Sequence, residues 1–281
     1  MAGWPVSVIP LDLESLRPLS LAEINERATL VTRTCRKYLV PTETVTELFA
    51  GAEERFGALS IEGRRSLRYS STYFDTPDLR TFRDHRQGRR LRFKTRVRTY
   101  LDTDTHMFEV KLKERRGITD KVRVPHDALP EQMSPRARTF LEDSLGSYGL
   151  RPPDVLVPSA VIDYRRSTVV ALTGEERITV DTALVGRRGR WCVGMRPDMA
   201  LVEIKTRGGL TATERRLHAH GFRKVTFSKY GAVIAALEPH MRGNRWHRTA
   251  LKCLESPLPL PSGRSPEGRE SHRVETSTRP R

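Results

Sequence analysis

Cysteine is scarce in this chain of 281 residues: Cys35, Cys192 and Cys253 are all there is. They fall in no C-x-x-C or Cys/His ligand spacing, which argues against a disulfide framework or a thiolate zinc site and sets a reducing cytoplasm as the expected compartment. Nowhere do 18 apolar residues run together, and the first residues show no charged stretch followed by an apolar one. Neither a transmembrane helix nor a signal peptide is therefore expected, and work at a membrane would need a membrane-protein partner. Acidic residues are also short: 34 Asp and Glu stand against 50 Lys and Arg, a net charge of +16. Such an excess attracts nucleic acid, phosphorylated metabolites or an anionic surface. No zinc-finger, RNP or recognition-helix signature accompanies it, so no specific nucleic-acid partner is expected.

The charge is unevenly distributed. Residues 241–281 hold nine Lys or Arg against four Glu among clustered Pro, Ser and Gly, and read as a basic C-terminal tail, disordered from about Pro257. Residues 1–29 read as a lead with a helix over Ser20–Ala28, and residues 30–240 as one domain. Within it, alternating patterns predict strands at Leu30–Val40, Ser66–Asp75, Arg89–Tyr100, Thr105–Arg115, Ile118–Val124, Ser159–Leu172, Glu176–Asp181, Leu184–Val193 and Ala200–Thr206. A turn is expected at Gly186–Gly189. Helices are predicted from Thr42 as cap to about Leu59, from Ser134-Pro135 to Leu145, over Thr211–Ala219 and over Ser228–Leu237. Hairpin-connected strands with flanking helices predict an α+β fold, an antiparallel eight-stranded barrel.

Strand side chains alternate between faces. Arg90, Arg92, Lys94, Arg96 and Arg98 share one face of a single strand, with Leu91, Phe93, Thr95, Val97 and Thr99 on the other. Neighbouring cations ~7 Å apart repel by roughly 2 kcal/mol at an effective dielectric of about 20, before salt screening. Other strands repeat the scheme. Glu109, Lys111 and Lys113 alternate with Phe108, Val110 and Leu112; Lys121 and Arg123 alternate with Val122 and Val124; Glu203, Lys205 and Arg207 alternate with Val202 and Ile204. Arg177, Thr179 and Asp181 do so with Ile178 and Val180, and Arg33, Cys35 and Lys37 share a face. Charged faces that converge, with apolar faces covered by helices, invert the usual small barrel. The carboxylates Glu109, Asp181 and Glu203 are too few to balance the cations, so a polyanion is expected inside.

These residues form a pattern that resembles the VTC domain of polyphosphate polymerases, a branch of the triphosphate tunnel (CYTH-like) superfamily. The matching pieces are RTCRKY at 33–38, YFDTPDL at 73–79, KTRVRTY at 94–100, FEVK at 108–111, YRR at 164–166, RITVD at 177–181, VEIK at 202–205 and SKY at 228–230. The resemblance implies an eight-stranded tunnel and transfer of the terminal phosphoryl group of ATP, or another NTP, onto inorganic polyphosphate with Mn²⁺ or Mg²⁺. It implies Lys37, Arg96, Arg98, Lys111 and Lys205 as the central phosphate-holding groups, with Lys94, Lys113, Arg166, Arg177, Ser228 and Lys229 as further phosphate contacts. Glu203 is the implied metal ligand and Glu109 the second candidate, with pairing to interior cations as its alternative role. One departure stands out. Arg33, Cys35 and Lys37 occupy positions where the wider superfamily has an E-x-E-x-K strand, which favours a polymerase over a triphosphatase or polyphosphatase. A catalytically silent polyphosphate- or nucleic-acid-binding module is the remaining alternative.

Plainer roles are expected elsewhere. Tyr38, Tyr73 and Tyr100 read as packing residues, Asp75-Thr76-Pro77-Asp78 as a turn, and Asp181 as partner to an interior cation. His85, His106, His218 and His220 read as surface residues, and Arg83, Arg86 and Arg89 as part of a polar loop.

Overall fold

A computed structural model describes residues 11–27, 34–113, 119–241 and 246–260. In chain order the elements are β1 (Arg17–Leu19), α1 (Leu21–Arg27), β2 (Thr34–Pro41), α2 (Thr42–Phe49), β3 (Phe56–Leu59), β4 (Leu67–Asp75) and α3 (Arg80–Gln87). Then come β5 (Arg92–Tyr100), β6 (Thr105–Lys113), β7 (Thr119–Pro125), α4 (Pro135–Gly146), β8 (Val157–Ala171), β9 (Arg177–Arg188) and β10 (Trp191–Gly194). The series ends with β11 (Met199–Thr206), α5 (Ala212–Ala219), α6 (Lys229–Leu237), α7 (His247–Cys253) and β12 (Leu258–Pro259).

Antiparallel pairing orders eight strands as β2-β11-β9-β8-β4-β5-β6-β7. This is the expected α+β tunnel architecture: a curled sheet with flanking helices. Among the described residues no ladder joins β2 to β7, so the curl is left open at that seam. The far half of β9 also carries β10 and, through it, β12, while the end of β8 carries β3 and, through it, β1.

Period-two alternation decides what each face buries. On the convex side, Tyr38, Val40, Ile178, Val180, Val202 and Ile204 meet Val45, Leu48 and Phe49 of α2 and Leu217 of α5. Phe93, Val97, Phe108, Val110 and Leu112 meet Ala137, Leu141 and Leu145 of α4, whose cap is Ser134. The helices thus cover the apolar faces, as the alternation predicts. Part of the concave side is filled as well. Helix α6 is apolar nearly all round and packs Val233 and Ile234 among Tyr73, Ile162, Leu184 and Leu201. Gly186 of β9 permits this approach, because a Cβ there would collide with Val233.

Several predicted elements differ. The helix from Thr42 ends at Phe49, its cap position is Pro41, and Gly51 follows with φ +63. Phe56–Leu59, expected to prolong it, is instead strand β3, buried along its whole length and paired to β8. The two strands expected across 176–193 are one long β9 and a short β10, with the turn at Gly189 rather than from Gly186. Arg83 and Arg86 lie in helix α3 and not in a loop; Asp75 accepts the N–H groups of Thr76, Thr81 and Phe82 at its start. Past Pro239, Trp246, Ala250, Cys253 and Leu254 are buried against the domain, with Trp246 seated over Gly231. The described structure therefore runs on to Leu260, past the expected start of the tail at Pro257, and the remainder of that tail lies outside the described residues.

Candidate functional site

Among the described residues the concave face sets Lys37, Lys94, Arg96, Arg98, Lys111, Lys121, Arg166, Lys205 and Lys229 around the carboxylates Glu109, Asp181 and Glu203. Glu109, 2% exposed, is enclosed by Arg96 at 2.6 Å, Lys121 at 2.7 Å and Arg98 at 3.6 Å. Asp181, fully buried, takes a two-pronged contact from Arg166 (2.6 and 2.8 Å) and an ion pair from Lys229. Glu203 lies 3.0 Å from Lys205 and 3.7 Å from Lys37. Burial alone would raise all three carboxyl groups, yet these cations hold each well below the usual carboxylate range. The expected pairing of Asp181 with interior cations is what the site contains.

A second set of cations has like-charged neighbours. In the sheet register Lys94 of β5 stands opposite Lys111 of β6, and Lys111 opposite Lys121 of β7. The Lys94 ammonium is pushed well below its ordinary pKa by burial, then by Lys111, Lys37 and Arg96. It donates to Ser228 Oγ at 3.0 Å, and Ser228 also accepts the Gly231 N–H as cap of α6. Lys37 Nζ donates to the Phe227 carbonyl at 2.9 Å, which ties β2 to the segment leading into α6. Lys113 and Arg92 stand opposite each other at one end of the concave face, while Arg177 stands opposite Lys205 on its β9 side. Arg90 lies before the strand and is exposed.

The floor is aromatic. Tyr69 and Tyr164 are register partners on β4 and β8 and stack with centroids 5.4 Å apart. Arg98 and Arg166 sit over Tyr69 (both 5.6 Å), and Lys229 lies 4.6 Å from the Tyr164 centroid. Burial pushes the Tyr164 phenol up, but Arg98, Arg166 and Lys229 draw it below its ordinary value. Tyr73, expected to pack, does both: it stacks on Tyr230 at 4.8 Å and its hydroxyl accepts from Arg96 at 2.7 Å. Tyr38 points the other way, its hydroxyl donating to buried Glu214.

Sequence reading missed Tyr69, Tyr164 and His85. The first two are visible only once β4 and β8 are paired. His85 is no surface residue: it lines a cavity with Lys94 and Lys111, and its Nδ1 lies 2.9 Å from the Thr81 carbonyl. His106 and His218 are likewise engaged, with Thr99 and Tyr38; His220 alone of the four is exposed.

Among the described residues no three His, Cys, Asp or Glu side chains cluster as a metal cage. The donor chemistry fits a hard cation only if Glu203, half-buried with oxygen ligands to offer, shares it with phosphate oxygens of a bound substrate. Glu109 is enclosed by three cations, and its geometry favours the ion-pairing role. No described helix is long and apolar enough to cross a membrane.

The sequence profile of the VTC domain matches residues 32–238. No curated protein sequence gives a significant match. Solved structures similar to the chain include a candidate adenylate cyclase from Bacillus halodurans, 14% identical, covering 70% of this chain and 94% of its own, with TM-score 0.43. A candidate adenylate cyclase from Vibrio parahaemolyticus is 13% identical over 79% and 98% of the two chains, with TM-score 0.35. A candidate adenylyl cyclase from Hippeastrum, described as having a dominant triphosphatase activity, is 13% identical over 70% and 93%, with TM-score 0.35. The profile match covers most of the chain and includes every residue of the cation-lined face named above, so the chain belongs to the VTC domain family.

Proposed function

We propose that the protein is a polyphosphate polymerase, transferring the terminal phosphoryl group of ATP or another NTP onto inorganic polyphosphate. The observation that carries this reading is the pair Lys94 and Lys111, like charges set directly opposite each other on a solvent-reaching concave face, with Lys121 next in the row and tied to Glu109. Like charges in register destabilise a sheet, and a chain of phosphates supplies anions at a repeating spacing that relieves them.

Phosphoryl transfer needs alignment and charge stabilisation more than a protein nucleophile. Arg96 offers a guanidinium group fixed by Glu109 and Tyr73, so its fork is oriented before substrate arrives, and Arg98 offers one lying over Tyr69 with Glu109 3.6 Å away. Arg166 and Lys229 are fixed the same way by Asp181, while Lys37, Lys111 and Lys205 supply point charges along the path. Lys94, Lys113, Arg177 and Ser228 would extend these contacts. Mn²⁺ or Mg²⁺, held by Glu203 together with phosphate oxygens, would neutralise charge on the transferring group. A membrane-protein partner that receives the polymer belongs to the same reading.

The test is purified protein with ATP, a short polyphosphate primer and either metal, scored by gel for chain growth and by ADP release. Arg96→Ala, Arg98→Ala and Glu203→Ala should each abolish both. Orthophosphate release without chain growth would assign the alternative, a triphosphatase; tight polyphosphate binding without turnover would assign a binding module.

A further inference from the structure

At the end of the concave face formed by Arg92 and Lys113, a cavity of about 180 Å³ opens between β5, β6 and α3. Its polar lining is cationic, from Arg92, Lys94, Lys111 and Lys113, with one exception: His85. The Thr81 carbonyl can only accept, so the hydrogen between it and His85 Nδ1 belongs to the imidazole. The four cations that share the cavity offer no anion to hold a second proton on the ring, and burial, then the charge on Lys94, lowers the His85 pKa in the same direction. With Nδ1 turned back onto its own helix, the ring edge left for the cavity bears Nε2, a bare lone pair among donors.

An acceptor is an odd thing to place in an anion pocket. A fully ionised phosphodiester-like or sulfate oxygen meets it with repulsion, whereas a phosphate that still carries a P–O–H donates to it. We propose that this cavity is a subsite for protonated phosphate, orthophosphate or the hydroxyl-bearing end group of a polyphosphate chain, with His85 Nε2 accepting the P–O–H hydrogen bond and the flanking lysines holding the remaining oxygens. The proposal rests on the tunnel being a phosphate site; it names the end of the tunnel that reads chain ends. Leaving a buried acceptor unmatched is costly, which makes the discrimination large for so small a chemical difference.

The experiment is titration calorimetry of the full chain at constant ionic strength and pH 7 with four probes: orthophosphate, sulfate, linear tripolyphosphate and cyclic trimetaphosphate, which has no end group. Orthophosphate should bind about tenfold tighter than sulfate, and tripolyphosphate should show a further preference over trimetaphosphate if chain ends are the ligand. A preference confined to orthophosphate assigns the free ion. His85→Phe should erase the orthophosphate-over-sulfate ratio, and His85→Gln, whose carbonyl can reach the Nε2 position, should restore most of it. Equal binding of orthophosphate and sulfate by the wild type overturns the proposal whatever the variants do, and so does an unchanged ratio in a folded His85→Phe. Because the readout is binding, a protein with no polymerase activity can still pass, and a competent polymerase can still fail.

Discussion

Lys94 of β5 and Lys111 of β6 face each other in one antiparallel ladder, and the charge on Lys111 lowers the proton affinity of Lys94. An arrangement that repels itself when empty is a site kept for something else. Function and ligand-free stability should therefore move in opposite directions when it is changed.

Lys111→Met tests this directly. Removing one charge while keeping the stem should stabilise the ligand-free protein by up to about 1 kcal/mol, read as a higher melting temperature. The same change should weaken tripolyphosphate binding by roughly 10- to 100-fold, the worth of one charge-assisted contact. A variant less stable than the wild type would show that the lysine row is not under strain.

The carboxylates should behave oppositely. Asp181→Asn leaves the buried Arg166 and Lys229 without the charge that holds them, and should destabilise the fold by about 3–5 kcal/mol. Chemical denaturation measures it. A loss under 1 kcal/mol would mean that the pair is replaced by water and that Asp181 does not anchor the site.

How much of this was legible depended on range. The strand containing Arg96 and Arg98 announced its two faces by alternation, and Ser134, Thr211 and Ser228 marked three helix starts by their cap chemistry. Helix α3 did not show, because Phe82 is its only large apolar residue and its start is organised by Asp75 from the preceding strand. Phe56 misled because it sits four residues after Ala52, at helical spacing, although its partner is Ala171 of β8. The aromatic floor and the His85 cavity depend on which strands lie side by side, and no local pattern carries that information.

Proton linkage gives a signature of the empty tunnel. Burial and neighbouring cations hold the folded-state pKa of Lys94 below its unfolded value, so the unfolded chain binds this proton more tightly. Stability should consequently rise with pH in the interval below about 10.4, as the folded protein is relieved of a charge it tolerates poorly. Bound tripolyphosphate returns the proton affinity and should flatten that slope. Melting curves between neutral and alkaline pH, with and without the anion, would show it; a Lys94→Met variant with the wild-type slope would contradict it.

Ligand stabilisation should be strong and salt-sensitive. At a concentration of 100 times its Kd, tripolyphosphate should add about 2.7 kcal/mol to the folded state, and less as added salt weakens binding. Thermal shift at graded salt reads both. An increment indifferent to salt would place the anion outside the cationic face.

The most direct test follows the phosphoryl group itself. The protein is incubated with γ-labelled ATP, a tripolyphosphate primer and Mn²⁺ or Mg²⁺, and the label is resolved by gel for wild type and Arg96→Ala. Labelled chains longer than the primer, formed with ADP and absent in the variant, are the expected result. Label recovered only as orthophosphate, or left in ATP across both metals, would contradict a polymerase.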